Sequence, residues 1–131
     1  MVVDASAFLP VLIDDGPDGG AARGRLAGEH VVVPELFDLE VVSVLRTLVV
    51  SKNLSVRRAQ AALADLDDAD LDRVGHRQLV ARIWQLRANL TAYDAAYVAL
   101  AEALRCPLVT ADGRLARSPG PRCPIEVLRP G

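Results

Sequence analysis

Residues 1–8 read MVVDASAF, and this stretch begins an alternation of short strands and helices that continues along the chain. Residues 1–3 predict a short β-branched strand, Asp4 stands at its end, and residues 5–13 predict a helix. Residues 31–33 form a second β-branched run that Pro34 closes. Strands this short and apolar are typical of a parallel sheet that helices cover on both faces.

The remaining chain continues this alternation without a repeat, linker or low-complexity segment, so residues 1–131 predict a single α/β domain. Residues 14–20 are rich in Asp, Gly and Pro and predict a turn. The pattern predicts helices over 21–27, 35–50, 55–67, 76–88, 91–104 and 113–117, and strands over 71–74, 107–110 and 124–128.

The composition indicates one globular domain with an aliphatic core. Hydrophobic residues make up 51% of the 131 residues and aromatic residues only 4%. The net charge of −2 excludes a strongly basic nucleic-acid coat protein, and two cysteines with two histidines are too few for a disulfide scaffold or structural zinc site. With no signal peptide and no apolar run of roughly 18 residues, we expect a cytoplasmic protein without a membrane span.

Acidic side chains stand where ligands bind in parallel α/β sheets, just outside the carboxyl ends of strands. Asp4 ends the first predicted strand, Asp112 follows the fourth, and Asp94 lies in the first turn of a helix. Each also suits helix capping, because Asp is a preferred N-cap and Thr91 with Asp94 matches a capping box. Capping and ligand binding both remain open for these residues.

Glu40 lies in a predicted helix that is apolar almost all round, a pattern typical of a largely buried helix. A buried carboxylate costs several kcal/mol unless it is paired or bound to a metal. The alternative is a position at the rim, paired with an arginine such as Arg46 or Arg87. Glu40 is therefore a fourth candidate site acid.

Four carboxylates brought together repel one another, and a hard divalent cation relieves that repulsion. Mg²⁺ or Mn²⁺ prefers oxygen ligands, and such a centre can activate a water and clamp a phosphate. No serine–histidine or cysteine–histidine arrangement in the sequence competes for the chemistry. The acids therefore favour metal-assisted hydrolysis.

The motifs around these acids resemble those of PIN-domain ribonucleases, most closely the VapC toxins of bacterial toxin–antitoxin pairs, over the whole length of the chain. They are Asp4 in VDAS, Glu40 in EVVSVLR, Asp94 in YDAAYVALA and Asp112 in VTADGRL. The resemblance implies a three-layer α/β/α fold with a central parallel sheet. It also implies a Mg²⁺- or Mn²⁺-dependent endoribonuclease and a VapB-type antitoxin that neutralises it. We expect this enzyme to be a homodimer in the cytoplasm.

The resemblance also implies roles for individual acids. By position, Asp4 and Asp94 are the main metal ligands, and Glu40 and Asp112 complete the acidic site directly or through water. Some relatives carry a second acid immediately after the last one, where this chain has Gly113, so the number of metal ions stays open.

Five further residues flank these acids. Ser6 and Thr110 match small hydroxyl residues that the family often places beside the first and last acids. Ser43 stands where relatives often have Asn, so an amide contact to substrate or to a neighbouring carboxylate is absent or bridged by water. Arg114 and Arg117 are candidate phosphate contacts, with ordinary helix-terminal charges as the alternative.

Two other functions share the same motifs: a PIN-fold RNA-processing or DNA nuclease without a toxin role, and a non-catalytic PIN-fold binding module. The predicted helix over 36–50 and the one after Ser55 carry more apolar surface than one small sheet can cover. We therefore expect part of this surface to lie in a homodimer or antitoxin interface.

The tripeptide Arg-Cys-Pro occurs twice, at 105–107 and 122–124, each time before a predicted strand. If the two strands are parallel neighbours, Cys106 and Cys123 lie near each other at the sheet edge opposite the acids. A reducing cytoplasm keeps such a pair as thiols. The sequence therefore predicts two free, neighbouring thiols without a catalytic role.

Overall fold

A computed structural model, which describes residues 1–129, has a five-stranded, entirely parallel sheet flanked by helices. The strands follow the order β3-β2-β1-β4-β5 across the sheet. They are β1 (Val2–Val3), β2 (Val31–Pro34), β3 (Leu71–Val74), β4 (Leu108–Thr110) and β5 (Ile125–Val127). The predicted α/β class with a central parallel sheet is confirmed.

Seven α-helices connect and flank these strands. They are α1 (Ala5–Ile13), α2 (Pro17–Leu26), α3 (Leu36–Val50), α4 (Val56–Asp68), α5 (Val80–Gln85), α6 (Ala92–Leu104) and α7 (Gly113–Arg117). Local signals set several of their ends. The Ser55 hydroxyl caps α4 by accepting from the Arg58 N–H at 3.0 Å, and Arg105 ends α6 in the left-handed conformation, with φ of 54°.

Strand β1 lies in the middle of the sheet, where the strand order reverses. Val2 pairs with Val32 of β2 and with Leu108 of β4, and the Asp4 N–H donates to the Val109 carbonyl at 3.1 Å. The chain therefore leaves β1 and β4 side by side at the carboxyl edge of the sheet. This is the position at which parallel α/β sheets bind ligands.

The core is aliphatic, as the composition predicts. Val2, Val3 and Val109 are fully buried, and the rings of Phe8 and Phe37 meet edge to face at 5.5 Å. Small side chains let α6 lie directly against the sheet, and every residue from 95 to 101 is buried. This rigid packing holds the first turn of α6 at the carboxyl edge.

Two predicted helices, over 21–27 and 76–88, differ from the structure. Helix α2 begins at Pro17, because proline is accepted in the first turn of a helix and the Asp14 carboxylate completes the preceding turn by accepting from the Gly16 N–H at 2.7 Å. The predicted helix over 76–88 is instead a 3₁₀ turn, Arg77–Leu79, followed by the short α5. No helix within residues 1–129 is long and apolar enough to cross a membrane.

Helix α3 is much less buried than its apolar sequence predicts. Only Phe37, Val41 and Leu45 are buried, whereas Leu39 is 72% exposed and Val50 is 66% exposed. Helix α3 packs mainly on α1 and α4, and single side chains reach it from other elements, as where Asp38 accepts from Arg73 and Glu40 accepts from Tyr97. The prediction of a largely buried helix is wrong for this chain alone, and the expected surplus of apolar surface is present.

Candidate active site

The four candidate acids line one cavity of about 420 Å³ at the carboxyl edge of the sheet, hereafter the acid cavity. Asp4 follows β1, Asp112 follows β4, Glu40 comes from α3 and Asp94 from the first turn of α6. Four separate elements thus bring together side chains that are far apart in sequence. Ser6, Ser43 and Tyr97 are the other polar residues of its wall.

Asp4 is the most enclosed of these acids, with 7% of its surface exposed. Its Oδ1 accepts from the Ser6 hydroxyl at 2.6 Å and the Ala7 N–H at 3.1 Å, and its Oδ2 accepts from the Thr110 hydroxyl at 2.5 Å. Burial raises the pKa of Asp4 above its usual range, and the nearby charge of Asp94 adds to that rise. The hydrogen bonds oppose the shift and fix the carboxylate in place.

Ser6 and Thr110 connect the ends of β1 and β4. Their hydroxyl oxygens lie 3.2 Å apart, the Ala111 N–H donates to Ser6 Oγ at 2.9 Å, and the Asp112 N–H donates to Thr110 Oγ1 at 3.0 Å. Thr110 is fully buried behind Asp4, whereas Ser6 is exposed in the cavity wall. The two hydroxyl residues therefore orient Asp4 and the backbone that leads to Asp112.

Glu40 is half-buried and accepts a hydrogen bond from the Tyr97 hydroxyl at 2.5 Å. Burial raises the pKa of Glu40, the hydrogen bond from Tyr97 lowers it in part, and the charges of Asp94 and Asp4 raise it further. The alternative pairing with Arg87 is wrong, because that guanidinium stacks over the Trp84 ring at 4.4 Å. The other candidate, Arg46, lines a groove between α3 and α4.

Tyr97 is the site residue that sequence reasoning missed. It is 1% exposed and lies three residues after Asp94, on the same face of α6, so its hydroxyl reaches the cavity while its ring packs in the core. The available signal was the second tyrosine of the YDAAYVALA motif, which helical spacing places beside the first acid of that helix. A buried tyrosine hydroxyl requires a partner, and Glu40 provides it.

Asp94 and Asp112 face each other with opposite pKa shifts. Burial and the charge of Asp112 raise the pKa of Asp94. The Arg114 side chain lowers the pKa of Asp112, with Nε and Nη2 each 3.3 Å from a carboxylate oxygen. Arg117 lowers the pKa of Asp112 through its charge and takes no part in the lining of the acid cavity.

The predicted capping interactions are present as well. Asp4 caps α1, Asp112 caps α7 by accepting from the Arg114 N–H at 2.9 Å, and the Thr91 hydroxyl caps α6 by accepting from the Asp94 N–H at 3.2 Å. Capping by Asp4 and Asp112 uses one oxygen of each carboxylate. The capping alternative and a place in the cavity wall are therefore compatible.

The donor set suits a hard divalent cation. Four carboxylates supply only oxygen ligands, and the pKa values of Asp4, Glu40 and Asp94 are raised in part by the charge of another acid of the four, which a cation would relieve. Within residues 1–129, no three acidic, histidine or cysteine side chains are arranged to hold one ion together. Mg²⁺ commonly binds through one or two carboxylates and keeps several waters, so this looser arrangement fits it.

A parallel α/β/α sheet with acids from four elements at its carboxyl edge defines a class of proteins, and a sequence model of that class, the PIN domain, matches residues 1–120. The chain belongs to the PIN-domain family and, within it, to the VapC group. It is 46% identical to Ribonuclease VapC9 of Mycobacterium tuberculosis over 128 residues, which cover 98% of each chain.

Two solved structures show the same fold at low sequence identity. One is VapC20 of M. tuberculosis, described as a sarcin–ricin loop cleaving toxin, with a TM-score of 0.67 and 17% identity over 88% of this chain and 92% of that one. The other is VapBC2 of Rickettsia felis bound to a promoter DNA fragment, with a TM-score of 0.62 and 15% identity over 98% of each chain. The three-layer architecture that the sequence predicts is thereby confirmed.

Proposed function

We propose that this chain is a divalent-metal-dependent endoribonuclease toxin that hydrolyses RNA phosphodiester bonds and that a VapB-type antitoxin neutralises. The observation that carries this function is the convergence of Asp4, Glu40, Asp94 and Asp112 on one cavity. Three of these acids have pKa values raised by burial and by one another's charge. The ribonuclease activity in the names of its VapC relatives supports the same chemistry.

The four acids divide the work according to their surroundings. Asp4 and Asp94 would hold Mg²⁺ or Mn²⁺, because Asp4 is fixed by hydroxyl groups and Asp94 lines the same cavity. A bound cation supplies positive charge to the phosphate and lowers the pKa of a water. Glu40 or Asp112 would orient the attacking water and accept its proton as the new oxygen–phosphorus bond forms. The bond from phosphorus to the leaving ribose oxygen would then break, and that oxygen would take up a proton from solvent.

Arg114 and Arg117 of α7 are the proposed contacts to the RNA backbone. The Arg114 guanidinium lies on the Asp112 carboxylate at the cavity mouth, and its side chain is 86% exposed. Arg117 lies over Gly113, where a Cβ would meet its Nη1 at 3.1 Å. Arg114 borders the acids and Arg117 lies one turn further along α7, so an RNA phosphate would meet Arg114 first. Such a contact positions a nucleic acid without reading its sequence.

The exposed face of α3 and α4 is the proposed surface for protein partners. A groove of about 270 Å³ between the two helices is lined by apolar side chains that include Val42, Val49, Val56 and Leu63. Its size and composition suit an amphipathic segment of an antitoxin or the same face of a second copy in a homodimer. We expect both forms in the cytoplasm, and a monomeric mass that the antitoxin leaves unchanged would contradict this part of the proposal.

Cleavage of RNA in vitro tests the enzyme directly. We expect the purified chain to cut structured RNA with added Mg²⁺ or Mn²⁺, and to stop when EDTA removes the cation. Asp4→Asn should abolish cleavage while the fold is retained, and Asp65→Asn, an exposed acid on α4, is the matched control that should cut normally. Cleavage of DNA alone would favour the other nuclease function, and neither cleavage nor a metal-dependent thermal shift would favour a binding module.

A further inference from the structure

A second cavity, of about 290 Å³, opens beside the acid cavity, and the two share Asp94 and Asp112. We call it the Asn89 groove, after a residue that has no part in the proposed chemistry. The segment before α6 and the short α7 form its two sides. Its other lining residues are Asn89, Leu90, Thr91, Arg114, Leu115 and Ser118.

The lining of the Asn89 groove combines an apolar floor with a polar edge. Leu90 and Leu115 are 9% and 3% exposed and close the groove at its floor. The exposed amide of Asn89 offers both a donor and an acceptor. The Ser118 hydroxyl donates to the Arg114 carbonyl at 2.9 Å, which leaves its oxygen able to accept. The edge therefore presents donor and acceptor groups together.

Arg114 stands at the boundary between the two cavities. Its guanidinium contacts Asp112, which lines both, and its backbone carbonyl is the partner of Ser118. A phosphate there would find a planar, exposed cation within reach of the acids. A nucleic-acid strand with one phosphate in the acid cavity would thus place its next nucleotide in the Asn89 groove.

We propose that the Asn89 groove binds one unpaired nucleotide of the RNA, next to the phosphate that is cut, and that Asn89 reads the edge of its base. The base lies on Leu90 and Leu115, Ser118 accepts from it, and Arg114 contacts the connecting phosphate. Unpaired bases in loops are read in this way, through hydrogen bonds to their exposed edges. This inference rests on the proposed ribonuclease function and names where its sequence preference arises.

The chemistry of the groove favours a nucleotide over a protein segment. A phosphate alone would need only donors, whereas Asn89 and Ser118 also present acceptors, as a base edge requires. The extended apolar surface that suits a protein partner lies elsewhere, on α3 and α4. The direct continuity with the acid cavity, through two shared acids, is expected for consecutive nucleotides of one strand.

Mapping of cut sites in a randomised single-stranded RNA library tests this assignment. Asn89→Ala should weaken the preference for one base at one position beside the cut by about five- to tenfold, the worth of one to two hydrogen bonds. Asn89→Asp replaces the donor by an acceptor and should change which base is preferred. Asn53→Ala, at the other asparagine of the chain, exposed between α3 and α4, is the control that should keep the pattern.

Binding separates this inference from the ribonuclease proposal. In the Asp4→Asn background, fluorescence anisotropy with a preferred oligonucleotide and Mg²⁺ should show affinity lowered about five- to tenfold by Asn89→Ala. Unchanged cut patterns and affinity in both Asn89 variants would overturn the base-reading role. Loss of antitoxin affinity alone would make the groove a protein contact instead. If the wild-type chain cuts no RNA, the ribonuclease proposal has failed, which is a different result.

Discussion

The two edges of the sheet use acidic side chains in opposite ways. At the carboxyl edge, Asp4 and Asp94 lie near other acids, and burial together with neighbouring negative charge raises their pKa values. At the amino edge, Glu102 accepts from Arg82 at 2.7 and 3.1 Å and from the Arg122 N–H at 2.7 Å. Burial alone would raise the pKa of Glu102, and these partners lower it below its usual range.

This contrast separates an acid that stabilises the fold from an acid that is kept for a ligand. Glu102 and Arg82 are 14% and 20% exposed, and their paired charges satisfy each other within the chain. Asp4, Glu40 and Asp94 each keep a raised pKa, because burial and the charge of a neighbouring acid outweigh the hydrogen bonds and the Arg114 charge that lower it. Perturbed pKa values in a cleft mark functional sites for this reason.

The largest expected effect is at Asp94. Asp94→Asn should lower metal-dependent cleavage by more than about a hundredfold, because loss of a residue that only supports a metal ligand already costs 10–100-fold. It should also stabilise the metal-free protein, since one repelling charge is gone. Cleavage rates and thermal unfolding with and without Mn²⁺ measure both effects. An Asp94→Asn protein that is less stable without metal and still cuts RNA would break the contrast between the edges.

The next effect is at Tyr97, which we expect to act as a positioning residue for Glu40. Tyr97→Phe keeps the buried ring and removes the hydrogen bond, so cleavage should fall about tenfold through weaker metal binding. Higher Mn²⁺ concentration should restore part of the rate, which a purely structural loss would not allow. Tyr93→Phe, at a tyrosine that is 65% exposed, is the matched control. An unchanged metal dependence in Tyr97→Phe would show that Glu40 needs no anchor.

Much of the fold and the four acids could be predicted from the sequence because the signals are local. Short β-branched runs marked the strands, and the acids followed them or opened the next helix. The role of Tyr97 could not be predicted from a local signal, because it depends on Glu40, which lies 57 residues away on another helix. A periodic pattern gives the face of one helix and does not name the side chain opposite it.

The exposure of α3 shows a second limit of the sequence. An apolar pattern predicts burial, and it does not say whether the cover comes from the same chain or from a partner. Residues such as Leu39 and Val50 are exposed because α1 and α4 contact only one face of α3. The predicted helix over 76–88 shows the same limit, because its apolar pattern does not say where the helix stops. The Leu86 N–H donates to the carbonyls of both Arg82 and Ile83, and α5 ends there.

At the amino edge, Glu102→Gln should lower stability and leave cleavage intact. Removal of the charge that Arg82 and Arg122 contact should cost about 1–3 kcal/mol at neutral pH. Because the folded pKa of Glu102 is lowered, its contribution is present above the usual glutamate pKa and is lost as pH falls through the folded value. Denaturant unfolding of both proteins from pH 7 to pH 3 should show the difference shrinking. A constant difference over that range would contradict the linkage.

The smallest effect concerns the thiols, which lie at the same edge as Glu102. Cys106 and Cys123 are free and line one cavity with Glu102, so the predicted unbonded neighbours are confirmed. Burial and the charge of Glu102 raise the pKa of Cys123 to about 11. At neutral pH, a smaller fraction of Cys123 is thiolate than of an ordinary thiol, but each thiolate is more nucleophilic. Alkylation should therefore be only about tenfold slower than at an ordinary thiol.

Glu102→Gln should speed the labelling of Cys123 by removing the neighbouring negative charge, whereas Asp94→Asn, at the opposite edge, should leave it unchanged. Mass spectrometry of the native protein after timed alkylation measures this rate. The Cys106→Ser, Cys123→Ser double variant should cut RNA within about twofold of the wild-type rate, since neither thiol touches the acid cavity. Loss of cleavage in a double variant that still folds would mean that the amino edge takes part in the chemistry. That result would contradict the assignment of the chemistry to the carboxyl edge alone.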